Sequence, residues 1–222
     1  AKNLVASYLG DTNFNGSISP SVPHTVNKAN TTTTISNAGA LGTATVVGQS
    51  YAVTWSVAVN APGALGAALS GNVTVDAGGG NTCTAAVGAG TCNIVSTTAG
   101  VKSLTATYAG DGNYNGSASS PATPHTVNPA NTTTTITNAA SLNSTPTVVG
   151  EAYAVNWSVT VNAPGALGAA LSGSVTVSDG TDTCTAAVGA GTCNLTSTMA
   201  GTKTLTATYA GDTNYNGSTS AG

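Results

Sequence analysis

Charge is the scarcest commodity in this 222-residue sequence: 5% of residues are Asp, Glu, Lys or Arg, against a usual ~25%. There is no arginine, and the lysines number only four, scattered along the chain. Such a surface cannot neutralise a phosphate backbone, which excludes nucleic-acid binding as a role. A net charge of −3 over this length also gives little long-range steering of any partner. No apolar run approaches the ~18–20 residues of a membrane-spanning helix. Histidine occurs twice and the seven acidic residues are dispersed. No nucleophile, base and orienting acid fall together, so no enzyme is expected. Low charge alone would suit disorder, but 40% of residues are hydrophobic, enough to build a core. Thr, Ser, Asn, Gly and Ala supply the exterior instead.

What the chain does have is repetition. YLGDTNFNGS at Tyr8–Ser17 recurs as YAGDGNYNGS at Tyr108–Ser117 and as YAGDTNYNGS at Tyr209–Ser218. The copies lie about a hundred residues apart, too long for a solenoid repeat and right for a small complete domain. The division expected is 1–28 as the last strands of a preceding repeat (or a segment to be donated), 29–128 as one domain, and 129–222 as another that lacks its own last strand.

Within 29–128 the signals are those of strands. Thr31–Ile35 is β-branched. From Tyr51 to Val59 the alternation is strict, with Tyr51, Val53, Trp55, Val57 and Val59 on one face. NAPGALGAALSG interrupts, and Asn72–Val75 follows. Thr82–Val87 and Thr91–Val95 flank Gly88-Ala89-Gly90, which reads as a hairpin. Leu104, Ala106 and Tyr108 share a face, and PHTVN at Pro124–Asn128 closes the unit. The second unit repeats the order through Thr132–Ile136, Tyr153–Val161, Val175–Val177, Thr183–Val188, Thr192–Ser197 and Lys203–Tyr209. About seven short strands per hundred residues predict an all-β chain of tandem immunoglobulin-like sandwiches, with Trp55 and Trp157 in the two cores.

TTTT near the start, a GxVTV strand (Gly71–Val75, Gly173–Val177) and AGxKxLTATYxGDxNYxGS carry a family resemblance. The sequence resembles the third group of bacterial Ig-like domains over nearly its whole length. The resemblance implies an extracellular sandwich strung in arrays within adhesins, secreted enzymes and surface filaments. It implies no catalytic site.

Each unit has one C-x8-C pair, Cys83 with Cys92 and Cys184 with Cys193. Across a symmetric hairpin the paired Cα atoms would lie ~4.5–5.5 Å apart, close enough for a disulfide. A four-cysteine metal site is the rival, but the pairs lie in different units without histidine nearby. Disulfides would place the protein in an oxidising compartment, hence extracellular, secreted or on a cell surface.

The string D-x-N-x-N-G matches the front half of a calcium loop, with Asp111, Asn113 and Asn115 as the candidate ligands. The bidentate Glu expected eleven residues on is Ala122, so an Asx-turn between strands is the competing reading. Phe14, Tyr114 and Tyr215 in these loops could stack on a glycan or cover the end of a sandwich. His24 and His125 are read as packing at the linkers, and Lys2, Lys102 and Lys203 as exposed at strand starts. Since that places no lysine beside a buried carboxylate, no isopeptide crosslink is expected.

The chain opens inside a repeat without Met, and is read as a piece of a longer polypeptide. Short linkers, HTVNKANTTTT and HTVNPANTTTT, predict units set end to end. The first carries an extra PHTVN, Pro23–Asn27, while the second unit stops at Gly222 without one. Head-to-tail assembly is therefore expected, by strand donation between copies or by one continuous chain. The function this predicts is a stalk or extracellular fibre of a bacterial surface protein. The alternatives are an adhesin touching glycans or a host surface through its loop tips, and an accessory region of a secreted enzyme.

Overall fold

The computed structural model describes residues 2–222. Four short strands come first: β1 (Lys2–Leu4), β2 (Ser7–Gly10), β3 (Asn15–Ile18) and β4 (Val22–His24). They form two small antiparallel ladders, β1 with β4 and β2 with β3, and all their side chains but Gly10's position are exposed. The first repeat proper holds β5 (Thr31–Ile35), α1 (Ala38–Leu41), β6 (Thr45–Val46), β7 (Ser50–Val59), β8 (Asn72–Asp76), β9 (Thr82–Ala86), β10 (Thr91–Val95), β11 (Gly100–Tyr108), β12 (Ser117–Ala118) and β13 (Thr123–Asn128). The second repeat holds β14 (Thr132–Ile136), α2 (Ala139–Ser144), β15 (Ala152–Val161), β16 (Ser174–Ser178), β17 (Thr183–Ala187), β18 (Thr192–Thr196), β19 (Thr206–Tyr209) and β20 (Ser218–Thr219).

In the first repeat one sheet runs β10-β7-β5 and the other β6-β13-β11-β8-β9, with β12 also on β11. All pairs are antiparallel except β13 with β6, which is parallel. The core forms where the two inner faces meet: Val53, Trp55 and Ile94 from one sheet against Val73, Val75, Leu104, Ala106 and Tyr108 from the other. These are the alternating positions of β7 and β11, as period-two patterning requires. In the second repeat β14-β15-β18 faces β17-β16-β19-β20, enclosing Val155, Trp157, Val175, Val177, Leu195, Ala207 and Tyr209. Trp55 and Trp157 are buried, each donating its indole N–H to a carbonyl (Val87 or Val188) at 3.4 Å.

The threonine runs do more than supply β-branched backbone. Thr31 and Thr33 point inward, buried, and hydrogen-bond the Asn115 carbonyl at 2.7 Å and the Ser117 hydroxyl at 2.8 Å. Thr132 and Thr134 make the same contacts to Asn216 and Ser218. A hydroxyl on the inner face thus ties the first strand of each repeat to the edge of the opposite sheet. Without such partners a buried hydroxyl would be destabilising by roughly 1–3 kcal/mol.

Two expectations need correction here. The segments around Gly88-Ala89-Gly90 are not a hairpin: β9 pairs with β8 and β10 with β7, so they belong to different sheets. A short 3-10 turn at Val87–Ala89, followed by Gly90 at φ 67°, lifts the chain from one sheet to the other. Val87 N–H donates to Gly71 on one side and Trp55 N–H to Gly90 on the other, fixing the crossing. The strand expected over Lys203–Tyr209 is shorter, because only Thr206–Tyr209 has partners. In the first repeat the corresponding stretch of β11 is paired by β13 from Gly100 to Leu104.

Candidate functional site

No constellation of reactive groups converges among the described residues. Among the described residues no cluster of three or more His, Cys, Asp or Glu could hold a metal ion. Three other features stand out: the stapled sheet crossing, the loop at the joint between repeats, and an open groove in the second repeat.

Cys83 is bonded to Cys92 and Cys184 to Cys193, each with Cα atoms 6.0 Å apart. Because β9 and β10 lie on opposite sheets, the bridge joins the two layers of the sandwich, contrary to a bond within one hairpin. Sequence proximity concealed this. A nine-residue separation suits either geometry, and the deciding feature is the crossing at Gly90.

The D-x-N-x-N-G loop is self-satisfied. Asp111 Oδ1 accepts from the backbone N–H groups of Asn113 (2.8 Å) and Tyr114 (2.9 Å). Its Oδ2 accepts from the Ser70 N–H (2.9 Å), the Ser70 hydroxyl (3.0 Å) and the Tyr108 hydroxyl (3.2 Å). Led by the Asn113 and Ser70 N–H groups, these donors hold the carboxyl well below the usual range. Asn115 Nδ2 donates to Asn30 Oδ1 at 2.8 Å. The calcium candidates Asp111, Asn113 and Asn115 thus sit together, but Asp111 spends its lone pairs on a turn.

That turn grips the linker. Ala29 N–H donates to the Asn113 carbonyl (3.0 Å), and its carbonyl accepts from Asn115 N–H (2.8 Å). Ala130 is held identically by Asn214 (2.9 Å) and Asn216 (2.8 Å). Tyr114 and Tyr215 lie beneath, buried, their hydroxyls donating to Ala67 (2.8 Å) and Ala169 (2.7 Å). These two rings cover the end of the sandwich and offer no stacking face. Phe14, in the opening segment, is 66% exposed.

At the joint, the loop of the second repeat rests on the end of the first. Asn214 Oδ1 accepts from Ala99 N–H at 2.9 Å, and Val47 carbonyl accepts from Ala166 N–H at 3.2 Å. Gly48, at φ 79°, sits where a Cβ would collide with the Ala166 backbone; Gly168 stands against Thr97 in the same way. Val47, Val127 and Ala130 are buried and pack with the second repeat's core. The hydrophobic interior of the second repeat therefore extends across the joint to the end of the first.

The histidines part company. His125 is buried on β13, not at the linker: Nδ1 donates to the Leu41 carbonyl at 2.9 Å and Nε2 meets the Thr45 hydroxyl at 2.8 Å. Its ring stacks on Tyr51 with centroids 4.0 Å apart. His24 on β4 is exposed. Lys203, expected in solvent, is 19% exposed and lies 3.6 Å from Asp179, whose side chain is fully covered. Asp179 replaces Ala77 of the first repeat, so the pair has no counterpart there. The Ser197 hydroxyl (2.6 Å) and Asp182 N–H (2.7 Å) lead in holding the Asp179 carboxyl well below its usual range.

The second repeat carries counterparts of the residues that β13 packs against in the first, Leu142, Thr147 and Tyr153 for Leu41, Thr45 and Tyr51. A groove of about 1290 Å³ runs between α2, the 145–149 segment and the 199–205 segment, floored by Tyr153, Leu142 and Leu205. Val149, the counterpart of buried Val47, is 55% exposed.

Residues 130–222 match the bacterial Ig-like domain (group 3). Among solved structures, the chain is similar to the fibronectin(III)-like modules of Clostridium thermocellum CbhA, at 14% identity and a TM-score of 0.31, over 85% of this chain and 92% of that one. No curated protein matches it. Among the described residues no helix is long and apolar enough to cross a membrane.

Proposed function

We propose, from the match of residues 130–222 to the bacterial Ig-like domain (group 3), that the chain is a structural module of an exported bacterial surface protein, its repeats joined end to end as a stalk or extracellular fibre. The observation that carries this reading is the joint. Backbone hydrogen bonds clamp Ala130, Asn214 reaches back to Ala99, and glycines at 48 and 168 let the two repeats touch backbone to backbone. A flexible tether between independent binding modules would need none of these contacts. The inter-sheet disulfides support an oxidising, extracellular setting. The burial of Tyr114 and Tyr215 argues against glycan contact through those loop tips.

Electron microscopy of native material tests the proposal. The expected image is rods or fibres with an axial period of roughly 35–45 Å per repeat, the reach of strands of ordinary length with their loops. Isolated compact particles would overturn it.

A further inference from the structure

From the make-up of the joint we infer that the first repeat completes the core of the second, so that the second keeps its full stability only while the first is folded.

Strand β13 serves two interiors. Its inward positions, His125 and Val127, are two residues apart and 2% and 1% exposed. His125 stacks on Tyr51 of the first repeat. Val127 belongs instead to the interior of the second, with Trp157, Val175 and Tyr215. Val47, at 0% exposure, lies in that same interior, and Val46 and Ala99 line it. The loan runs one way. Among the described residues, the interior of the first repeat draws only on side chains between Ala29 and Tyr114.

The borrowed cap is held by the backbone of the first repeat. Val47 N–H donates to the Asn128 carbonyl and Gly48 N–H to the Ser96 carbonyl, both at 3.0 Å. Just before them, Thr45 and Val46 pair with Val127 and Asn128. The Gln49 side chain accepts from Val46 N–H at 3.0 Å. Three segments therefore fix Val47: β6, β13 and the residues after β10. They come together only when the first repeat is folded. Its unfolding would withdraw both valines and bare the apolar side chains they cover. Two buried valines correspond to a change of ~10-fold or more in the folded-to-unfolded ratio of the second repeat. By linkage this coupling is shared by the two repeats, as nearest-neighbour contributions are in stacked arrays. The asymmetry lies in which core is left incomplete. A first repeat opened by damage or by a protease would thus weaken the repeat that follows it.

Peptide-resolved hydrogen exchange on the full chain reads each repeat separately. Val53, on β7, is fully buried in the first interior and has no place in the second. Val53→Asp should unfold the first repeat, seen as lost protection in β7 and β11. The amides of β15 and β18 should then exchange at least ~10-fold faster than in the unaltered chain. Val47→Ala alone should speed the same amides roughly tenfold while the first repeat stays folded. In the Val53→Asp background it should add nothing, because the valine is already withdrawn. Unchanged exchange in β15 and β18 beside an unfolded first repeat overturns the inference. So does a Val47→Ala protein whose second repeat is unmoved, and that comparison decides alone where Val53→Asp yields no soluble protein. An effect of Val47→Ala that persists undiminished in the Val53→Asp background overturns it as well, since Val47 would then act without the fold that holds it. The coupling concerns the joint and not the role of the chain, so its failure would leave the stalk reading to be decided by microscopy.

Discussion

The ring of His125 lies 4.0 Å from that of Tyr51, and this contact locks the final strand of the first repeat over its core. Both ring nitrogens are engaged, with Leu41 and with Thr45. His125→Ala would strand a buried carbonyl and a hydroxyl and remove an aromatic contact. The expected loss is about 2–4 kcal/mol from the first repeat. Denaturant titration followed by Trp fluorescence in Trp157→Phe protein, which reports Trp55 alone, would measure it.

Reduction should weaken both repeats. A ring closed over nine residues of separation stabilises by ~2–3 kcal/mol on loop-entropy grounds. Calorimetry with and without reductant should show each transition lowered, and limited proteolysis should turn faster. An unchanged melting profile in fully reduced protein would contradict the inter-sheet role of the bridge.

The joint is expected to depend on Gly48. Gly48→Val would place a side chain into the Ala166 backbone and force a β-branched residue to positive φ. Each repeat should stay folded while the joint loosens. Small-angle scattering should show a broader distribution of distances, and Asn214→Ala, which removes the acceptor for Ala99 N–H, should act in the same direction more mildly.

The pH profile follows from two kinds of group. The carboxyls of Asp179 and Asp111 are held below their ordinary value near 4, so their contribution is full above that value and is lost as pH falls through the folded-state pKa. Tyr209 is pushed up to about 12, first by burial and then by the Asp212 charge. Its contribution is full below the ordinary tyrosine value near 10 and disappears as pH rises through 12. Thermal stability should thus be flat between roughly pH 5 and 9 and decline outside. Asp179→Asn should lower the plateau of the second repeat and flatten its acid limb.

Calcium should leave the melting temperature unmoved. The oxygens of Asp111 already accept from Asn113, Tyr114, Ser70 and Tyr108, and a cation would have to displace those donors. A rise on adding millimolar calcium, reversed by chelation, would restore the metal reading of the loop.

The alternation of β7 and the shared face of Leu104, Ala106 and Tyr108 announced the sandwich, because burial on one face leaves a period-two trace that nothing else mimics. Crossings between sheets leave no such trace. Gly88-Ala89-Gly90 reads alike whether the chain turns back within a sheet or climbs to the next, and only the neighbours β8 and β7 decide. The two-residue strands β6 and β12 are too short for any periodicity. Inward-facing Thr31 and Thr33 look like surface residues until Ser117 and Asn115 appear opposite them. The Lys203–Asp179 pair was illegible for a related reason: one substitution in a distant loop, Asp for Ala77, supplies the partner.

Entry and exit strands of the first repeat lie in opposite layers, β5 in one and β13 in the other, yet β6, which follows β5, runs parallel to β13. A tug on the two ends of this repeat therefore loads the β6–β13 bonds side by side, in shear, so they must break together instead of unzipping singly.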